Sequence, residues 1–163
     1  MKYMTIGLII LLSVIGCTSE SPISSEQPSD DVVQLRALHE LYVDGWLENN
    51  EEQVMNLLED NAMIQPNKMN PIIGKENIRD FWFPKDSSIT IINTFDTEVV
   101  HLQLKDTIAI MTHTSYLDWD YKLDTISFGM IQQGINTTVY LRQADNQWKI
   151  WRSMWTDISA TSK

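Results

Sequence analysis

The segment "NTTVYLRQADNQWKIWRSMW" (residues 136–155) consists of two alternating stretches on either side of a polar turn. Alternation with a period of two predicts β-strands, because successive side chains of a strand point to opposite faces. The intervening "ADNQ" is typical of a hairpin turn. We therefore predict two long strands, 125–142 and 147–158, which pair as an antiparallel hairpin.

Three tryptophans lie within eight residues of the second strand: Trp148, Trp151 and Trp155. In an unbroken strand Trp151 and Trp155 share one face, and Trp148 shares the other face with Arg152 and Met154. An arginine fits a partly exposed surface better than a closed interior. We therefore expect Trp151 and Trp155 to face inward, and Trp148 with Met154 to face outward.

The rest of the chain predicts helices first and strands afterwards. "SDD" at residue 29 supplies an N-cap and first-turn acids for a helix. Further strands are expected at 89–104 and 107–119, with "DWDYKLD" (residues 118–124) as a turn and with Gly129 and Gly134 as bulge or kink points. Apolar spacing of three to four predicts three helices, at 31–48, around 51–59 and at 75–83. This order indicates an α+β domain in which the helices pack on one face of a strongly curved antiparallel sheet.

Composition excludes some classes of partner. The chain has 163 residues, a net charge of −10 and a pI near 4.6. A nucleic-acid partner requires a basic surface, and the acidic balance also disfavours electrostatic attraction to anionic lipids. No pattern in the sequence predicts a cofactor or a metal. The acids of "DWDYKLD" lack the oxygen ligand and the glycine of a calcium loop, so we expect a solvated hairpin tip there.

The N-terminal segment "MKYMTIGLIILLSVIGC" has a lysine, a short apolar run and the only cysteine of the chain. The run is too short to span a membrane and fits a signal peptide. Together with Cys17 it resembles the bacterial lipobox, which implies cleavage before Cys17 and acylation of that cysteine, including palmitate. The alternative is an ordinary signal peptide with an incidental cysteine. With Thr18 following, the resemblance favours the outer membrane of the cell envelope.

These features predict a signal peptide at residues 1–16, a flexible tether at 17–31 and a folded domain at 32–158. The tether prediction rests on its Ser, Pro, Glu and Asp content, which cannot bury enough apolar surface to order the segment.

Three stretches of the domain resemble the nuclear transport factor 2-like superfamily, in its SnoaL-like and ketosteroid-isomerase-like branch. They are "LYVDGWLENNEEQVMNLLEDNAMI" (41–64), "IIGKENIRDFW" (72–82) and the hairpin of 136–155. The resemblance implies a cystatin-like cone, in which a curved sheet wraps over three N-terminal helices. The fold carries isomerases, dehydratases, cyclases, hydrolases and binding proteins, so the resemblance alone does not define an activity.

The isomerase site can be transferred residue by residue. Tyr42 takes the place of the oxyanion-hole tyrosine, and the second donor falls near Thr137 or Thr138. The segment "AMIQP" (62–66) predicts the first, short strand, which Pro66 ends. The catalytic aspartate should come just after it, where Gln65, Pro66 and Asn67 stand; none of these can take a proton at neutral pH. We therefore expect no ketosteroid isomerisation. The resemblance also implies a pocket, for which we name Tyr42, Trp46, Gln65, Phe81, Trp82, His113, Thr138, Trp151 and Trp155.

His113 is a candidate general base, because the ordinary pKa of histidine is near 6.5. His39 is expected to face solvent. Three functions stay open: a binding protein for a small apolar or amphipathic molecule, an isomerase, dehydratase or cyclase that uses His113 and Tyr42, and a structural homodimer, paired through the outer sheet face, with a filled cone. A cavity of several hundred Å3 that both His113 and Tyr42 line would favour the enzyme. The same cavity without His113 would favour the binding protein.

Overall fold

The computed structural model describes residues 29–163. The predicted signal peptide, Cys17 and nearly all of the predicted tether lie outside the described residues. Within this range three helices and six strands follow one another. They are α1 (Asp30–Leu47), α2 (Glu51–Asn56), β1 (Leu58–Gln65), β2 (Ile72–Ile73), α3 (Lys75–Trp82), β3 (Ile89–Lys105), β4 (Ile108–Leu123), β5 (Ile126–Arg142) and β6 (Trp148–Ser162).

The two N-terminal helices begin at side-chain caps that the sequence supplies. The Ser29 hydroxyl accepts a hydrogen bond from the Val32 amide, and the Asn50 side chain accepts one from the Gln53 amide. Such caps satisfy amide groups that have no partner inside a helix. Helices α1 and α2 then pack closely at Gly45, where an added Cβ would lie 2.9 Å from Val54 Cγ2.

The six strands form one mixed sheet in the order β2-β1-β6-β5-β4-β3. Strands β3 to β6 form the predicted antiparallel meander, but β1 pairs with β6 in parallel. The expectation of a purely antiparallel sheet was therefore wrong. Parallel neighbours need a long connection, and here the whole meander lies between β1 and β6. Sequence patterns of single strands do not reveal such a distant pairing.

The predicted turn at "DWDYKLD" was also wrong. Strand β4 continues to Leu123, and the reversal lies at Asp124, whose φ of 51° is typical of a tight hairpin turn. Asp118 and Asp120 lie in the strand, where Lys163 pairs with both carboxylates and the Asn93 amide donates to both. These contacts explain how two acids are accommodated in a strand that composition alone marks as a loop.

The assignment of tryptophan faces was half wrong, because β6 contains a β-bulge at Trp151. Val139 pairs with Arg152 and Tyr140 pairs with Ile150, so one residue of β6 is unmatched. The alternation shifts by one residue at this point.

Before the bulge the faces are therefore reversed relative to an unbroken strand with Trp155 inward, and after the bulge they are as expected. Trp148 is only 4% exposed, and its indole nitrogen donates to Asp31 at 3.2 Å. Trp155 faces inward and Met154 is exposed, as expected. The Trp151 ring lies under the guanidinium of Arg152, 4.1 Å from its centroid, and does not line the cavity.

The core lies between the helices and the closed end of the curved sheet. Its fully buried side chains come from every layer: Leu35, Met55, Leu58, Ile64, Ile78, Met111 and Tyr140. No helix within residues 29–163 combines the length and the apolar character that crossing a bilayer requires.

Candidate functional site

A cavity of about 540 Å3 lies between the concave face of the sheet and helices α1 and α3. A volume of this size is typical of pockets for drug-sized molecules. Half of the lining is aromatic or aliphatic, and the rest is mostly amide and hydroxyl. The lining residues are Tyr42, Trp46, Pro66, Asn67, Met69, Phe81, Trp82, Thr90, Ile92, Phe95, His113, Ser115, Leu117, Trp119, Tyr121, Gln132, Gly134, Asn136, Thr138, Ser153, Trp155 and Asp157.

The lining follows from strand alternation on β4, β5 and β6. Every second residue of β4 from 113 to 121, and every second residue of β5 from 132 to 138, points into the cavity. Cross-strand pairing arranges these side chains in rows. His113, Asn136 and Trp155 form one row. The next row toward the open end of the sheet contains Ser115, Gly134 and Asp157.

Gly134 leaves the middle of that second row without a side chain. A Cβ there would lie 2.9 Å from the carbonyl oxygen of Thr156 and 3.4 Å from Ser115 Oγ. The first of these contacts is with backbone, which cannot move aside cheaply. Gly134 therefore allows the β6 backbone to approach closely and keeps the space between Ser115 and Asp157 open.

Helices α1 and α3 supply an aromatic wall. The Trp46 ring packs edge-on to Trp82 at a centroid distance of 5.2 Å and stacks on Phe83 at 5.2 Å. The ring of Tyr42, one turn earlier on α1, has its centroid 6.2 Å from that of Trp46. Burial raises the pKa of Tyr42 to about 12, so its hydroxyl stays protonated and can donate a hydrogen bond.

On the sheet side a hydrogen-bonded chain converges on Asp157, and we call it the Asp157 network. Asn67 Nδ2 donates to Asp157 Oδ2 at 2.7 Å, and Gln132 Nε2 donates to the same oxygen at 3.0 Å. The Trp119 indole nitrogen donates to Gln132 Oε1. This contact fixes the orientation of the Gln132 amide, because its oxygen accepts while its nitrogen donates.

A second polar pair links the row of Asp157 to the row of His113. Asn136 Nδ2 donates to Ser115 Oγ at 2.9 Å, and Thr138 continues the polar strip along β5. The cavity thus has an aromatic side formed by the helices and a hydrogen-bonding side formed by the sheet. Such a division suits a ligand with an apolar body and a polar group at one edge.

His113 does not stand alone, since it contacts a second buried histidine. The rings of His39 and His113 have centroids 4.5 Å apart, and both residues are at most 5% exposed. His39 Nε2 lies 3.0 Å from the hydroxyl of Thr97, and His113 Nδ1 lies 3.3 Å from the Thr114 carbonyl. The expectation that His39 faces solvent was wrong, because α1 turns this face onto β3 and β4.

Burial keeps both imidazoles neutral. Desolvation, the neighbouring His113 and Arg36 together lower the pKa of His39 to about 4. Desolvation also lowers the pKa of His113, against a raising effect of its bond to the Thr114 carbonyl. A neutral imidazole can accept a proton, so His113 has the correct protonation state for a general base at neutral pH.

The structure brings together most of the residues named from the sequence. Seven of them line the cavity: Tyr42, Trp46, Phe81, Trp82, His113, Thr138 and Trp155. Two do not. Trp151 lies at the β-bulge, and the amide nitrogen of Gln65 donates instead to the Met69 and Pro66 carbonyls.

Sequence reasoning missed the polar side of the cavity, above all Asp157 and Gln132. The signal was present for β4, because His113 and its alternate residues share a face. The predicted strand ended at Trp119, and the turn placed at residues 118–124 left Tyr121 outside it. On β6 Asp157 shares the inner face of Trp155, but no local pattern shows that Asn67 and Gln132 bond to its carboxylate. Within residues 29–163 no cluster of three or more metal-ligating side chains occurs.

Comparison with known proteins identifies the fold. No family model matches the chain, and no curated protein matches its sequence. Solved structures do match. A ketosteroid isomerase-like protein from Erwinia carotovora atroseptica SCRI1043 superposes with a TM-score of 0.68 at 11% identity, covering 81% of this chain and 99% of the other.

Two further solved structures agree with the first. A proposed dehydratase of the NTF2-like family from Streptomyces avermitilis gives a TM-score of 0.63 at 15% identity, covering 81% of this chain and 99% of the other. An NTF2-like protein from Cytophaga hutchinsonii ATCC 33406 gives a TM-score of 0.63 at 14% identity, covering 81% of this chain and 100% of the other. The described domain therefore has the nuclear transport factor 2-like fold, an α+β architecture with a curved six-stranded sheet, as the resemblance implied.

Proposed function

We propose that the domain binds a small molecule with an apolar body and a polar end. The observation that carries this proposal is the cavity of about 540 Å3, with aromatic rings on one side and a hydrogen-bonding strip on the other. Aromatic rings provide large contact area, and a few fixed polar groups provide orientation. The third candidate, a filled cone, is disfavoured because Trp46 and Trp82 pack against each other and leave the cavity empty of side chains.

Native mass spectrometry of protein purified gently from its host tests this function. We expect a molecule of a few hundred daltons that remains bound to the wild type and is lost on denaturation. Trp155→Ala should retain much less of it, because the Trp155 ring lines the cavity. Trp151→Ala is the matched control, since it removes a tryptophan outside the cavity. A bare protein, or equal retention by both variants, would contradict the proposal.

A second candidate is an enzyme of the isomerase, dehydratase or cyclase kind. The observation in its favour is that His113 and Tyr42 both line the same cavity, which is the arrangement expected of the enzyme. Binding of a small molecule is common to both candidates and is therefore the first proposal. The low pKa of the His113 imidazole leaves it neutral and able to accept a proton. Tyr42 would donate to a developing oxyanion. The ketosteroid reaction itself remains disfavoured, because Gln65, Pro66 and Asn67 follow the first strand in place of an aspartate.

Proton chemistry can be detected without a known substrate. Protein would be incubated in deuterium oxide with small molecules extracted from the host envelope. Catalysis predicts that one compound gains deuterium, or loses water, with the wild type and with His101→Gln, whose histidine is exposed. His113→Gln should abolish the change. An unchanged extract would leave the binding function as the only proposal for this cavity.

We also propose that Cys17 anchors the protein in the cell envelope of a bacterial host, with the outer membrane as its site. The support is the sequence of residues 1–18 alone. Two or more acyl chains hold a protein firmly on a membrane, whereas one chain binds reversibly. Labelling of the wild type by palmitate, and its loss in Cys17→Ala, is the expected result. Equal labelling of both forms would disprove the anchor.

A further inference from the structure

Asp157 is the only charged side chain among the residues that line the cavity. The lining contains no lysine or arginine. Desolvation lowers the pKa of His113, so its imidazole is neutral at neutral pH. The polar strip is otherwise made of amides and hydroxyls. Any charge selectivity of the cavity therefore depends on this single carboxylate.

The Asp157 network holds that carboxylate in one orientation. Oδ2 accepts both amide hydrogen bonds, from Asn67 and from Gln132. Oδ1 accepts none from any residue between 29 and 163. A carboxylate oxygen has two lone-pair positions, so Oδ1 is available to a donor that enters the cavity. One oxygen is thus fixed by the protein and the other is left for a ligand.

The carboxylate also lacks a counter-ion in the described part of the chain. The salt bridges of residues 29–163 involve other acids, and none includes Asp157. Two amide donors do not neutralise the negative charge of a half-buried carboxylate. A ligand cation at Oδ1 would neutralise that charge through a charge-assisted hydrogen bond.

Aromatic rings next to Asp157 favour the same kind of ligand. Trp155 precedes it by two residues on the same face of β6, roughly 7 Å along the strand. Trp119 reaches the network through its bond to Gln132. Cations bind to the faces of tryptophan rings, and a desolvated site strengthens this attraction. Rings and carboxylate together match an ammonium group attached to an apolar body.

The same arrangement disfavours anionic ligands. A carboxylate or phosphate in the cavity would find Asp157 and no cation among the lining residues. The chain as a whole carries a net charge of −10, which repels anions and attracts cations over longer range. The carboxylate in the cavity and the net charge of the chain therefore both favour a cationic ligand over an anionic one.

We propose that the ligand of this cavity is an amphipathic amine, whose protonated nitrogen bonds to Asp157 Oδ1 and whose apolar body packs among the aromatic side chains. This inference rests on the proposed binding function and names the chemical class of its ligand.

Three probes with one apolar body test the inference: phenylbutylamine, phenylbutanol and phenylbutyrate. Binding to the protein purified from its host would be measured by calorimetry at pH 7. We expect the amine to bind most tightly and the acid most weakly. Asp157→Asn should weaken amine binding about tenfold, which corresponds to roughly 1.4 kcal/mol, and alcohol binding much less, because only the amine loses a charge-assisted bond.

Asp96→Asn is the matched control, because it removes the same charge from an exposed position outside the cavity. It should leave amine binding unchanged. Retained alcohol binding by Asp157→Asn also verifies that this variant keeps its cavity. Equal affinities for amine and alcohol, or equal weakening by both variants, would overturn the amine inference and leave the binding function intact. Failure of all three probes to bind would overturn both.

Discussion

Protonation of the buried histidine pair should destabilise the domain at mildly acidic pH. In the unfolded chain the pKa of His39 has its ordinary value of 6.5, whereas burial lowers the pKa of His39 to about 4 in the folded domain. A group with a depressed folded-state pKa is protonated first in the unfolded chain. Stability is therefore complete above pH 6.5 and is lost as the pH falls from 6.5 toward 4.

The magnitude follows from these two pKa values. Integrating proton uptake from pH 7.5 to pH 5 gives a loss of about 2 kcal/mol in the free energy of unfolding from His39 alone. The lowered pKa of His113 adds to the loss in the same direction. Because the two rings are in contact, protonation of one opposes protonation of the other.

Urea unfolding followed by tryptophan fluorescence, at constant ionic strength, measures this loss. The carboxylates titrate in all variants, so the informative quantity is the difference between the wild type and His39→Gln. We expect the variant to lose about 2 kcal/mol less than the wild type between pH 7.5 and pH 5. His101→Gln, at an exposed position, should follow the wild type. A pH dependence of His39→Gln equal to that of the wild type would refute the argument.

Three further substitutions test the packing. Gly45→Ala should lower the free energy of unfolding by about 1–3 kcal/mol, because its Cβ would overlap Val54; an unchanged urea midpoint would contradict this. Trp148→Phe should cost about 1 kcal/mol through the lost bond to Asp31, measured in the same way. If the outer sheet face pairs two copies, Met154→Lys should halve the mass found by light scattering, since Met154 is 46% exposed there; a monomeric wild type would exclude the dimer.

The fold could be predicted because its signals are local. The Ser29 cap, the helix over Lys75–Trp82 and the alternation of the long strands are each specified within a few residues. Their order along the chain, helices first and then a meander, defines the α+β class. The parallel pairing of β1 with β6 was missed, because no local pattern specifies which distant strand an edge will join.

The candidate site could be predicted only in part, for a related reason. Tyr42, Trp46 and Trp82 lie on helices, whose faces follow from spacing alone. On β6 the face depends on the number of residues between bulges, and one extra residue at Trp151 exchanged the positions of Trp148 and its neighbours. Asp157 lies on the inner face with Trp155, but only the tertiary contacts show that Asn67 and Gln132 hold its carboxylate.

By itself, the sequence determined the elements, their order and the aromatic content of this protein, because these depend on contacts between near neighbours in the chain. Only the tertiary structure decided which groups meet. His39 contacts His113 across helix and sheet. Asn67 from a loop and Gln132 from β5 converge on the carboxylate of Asp157 on β6. Such contacts between residues distant in sequence depend on strand register and sheet curvature, which result from the packing of the whole domain.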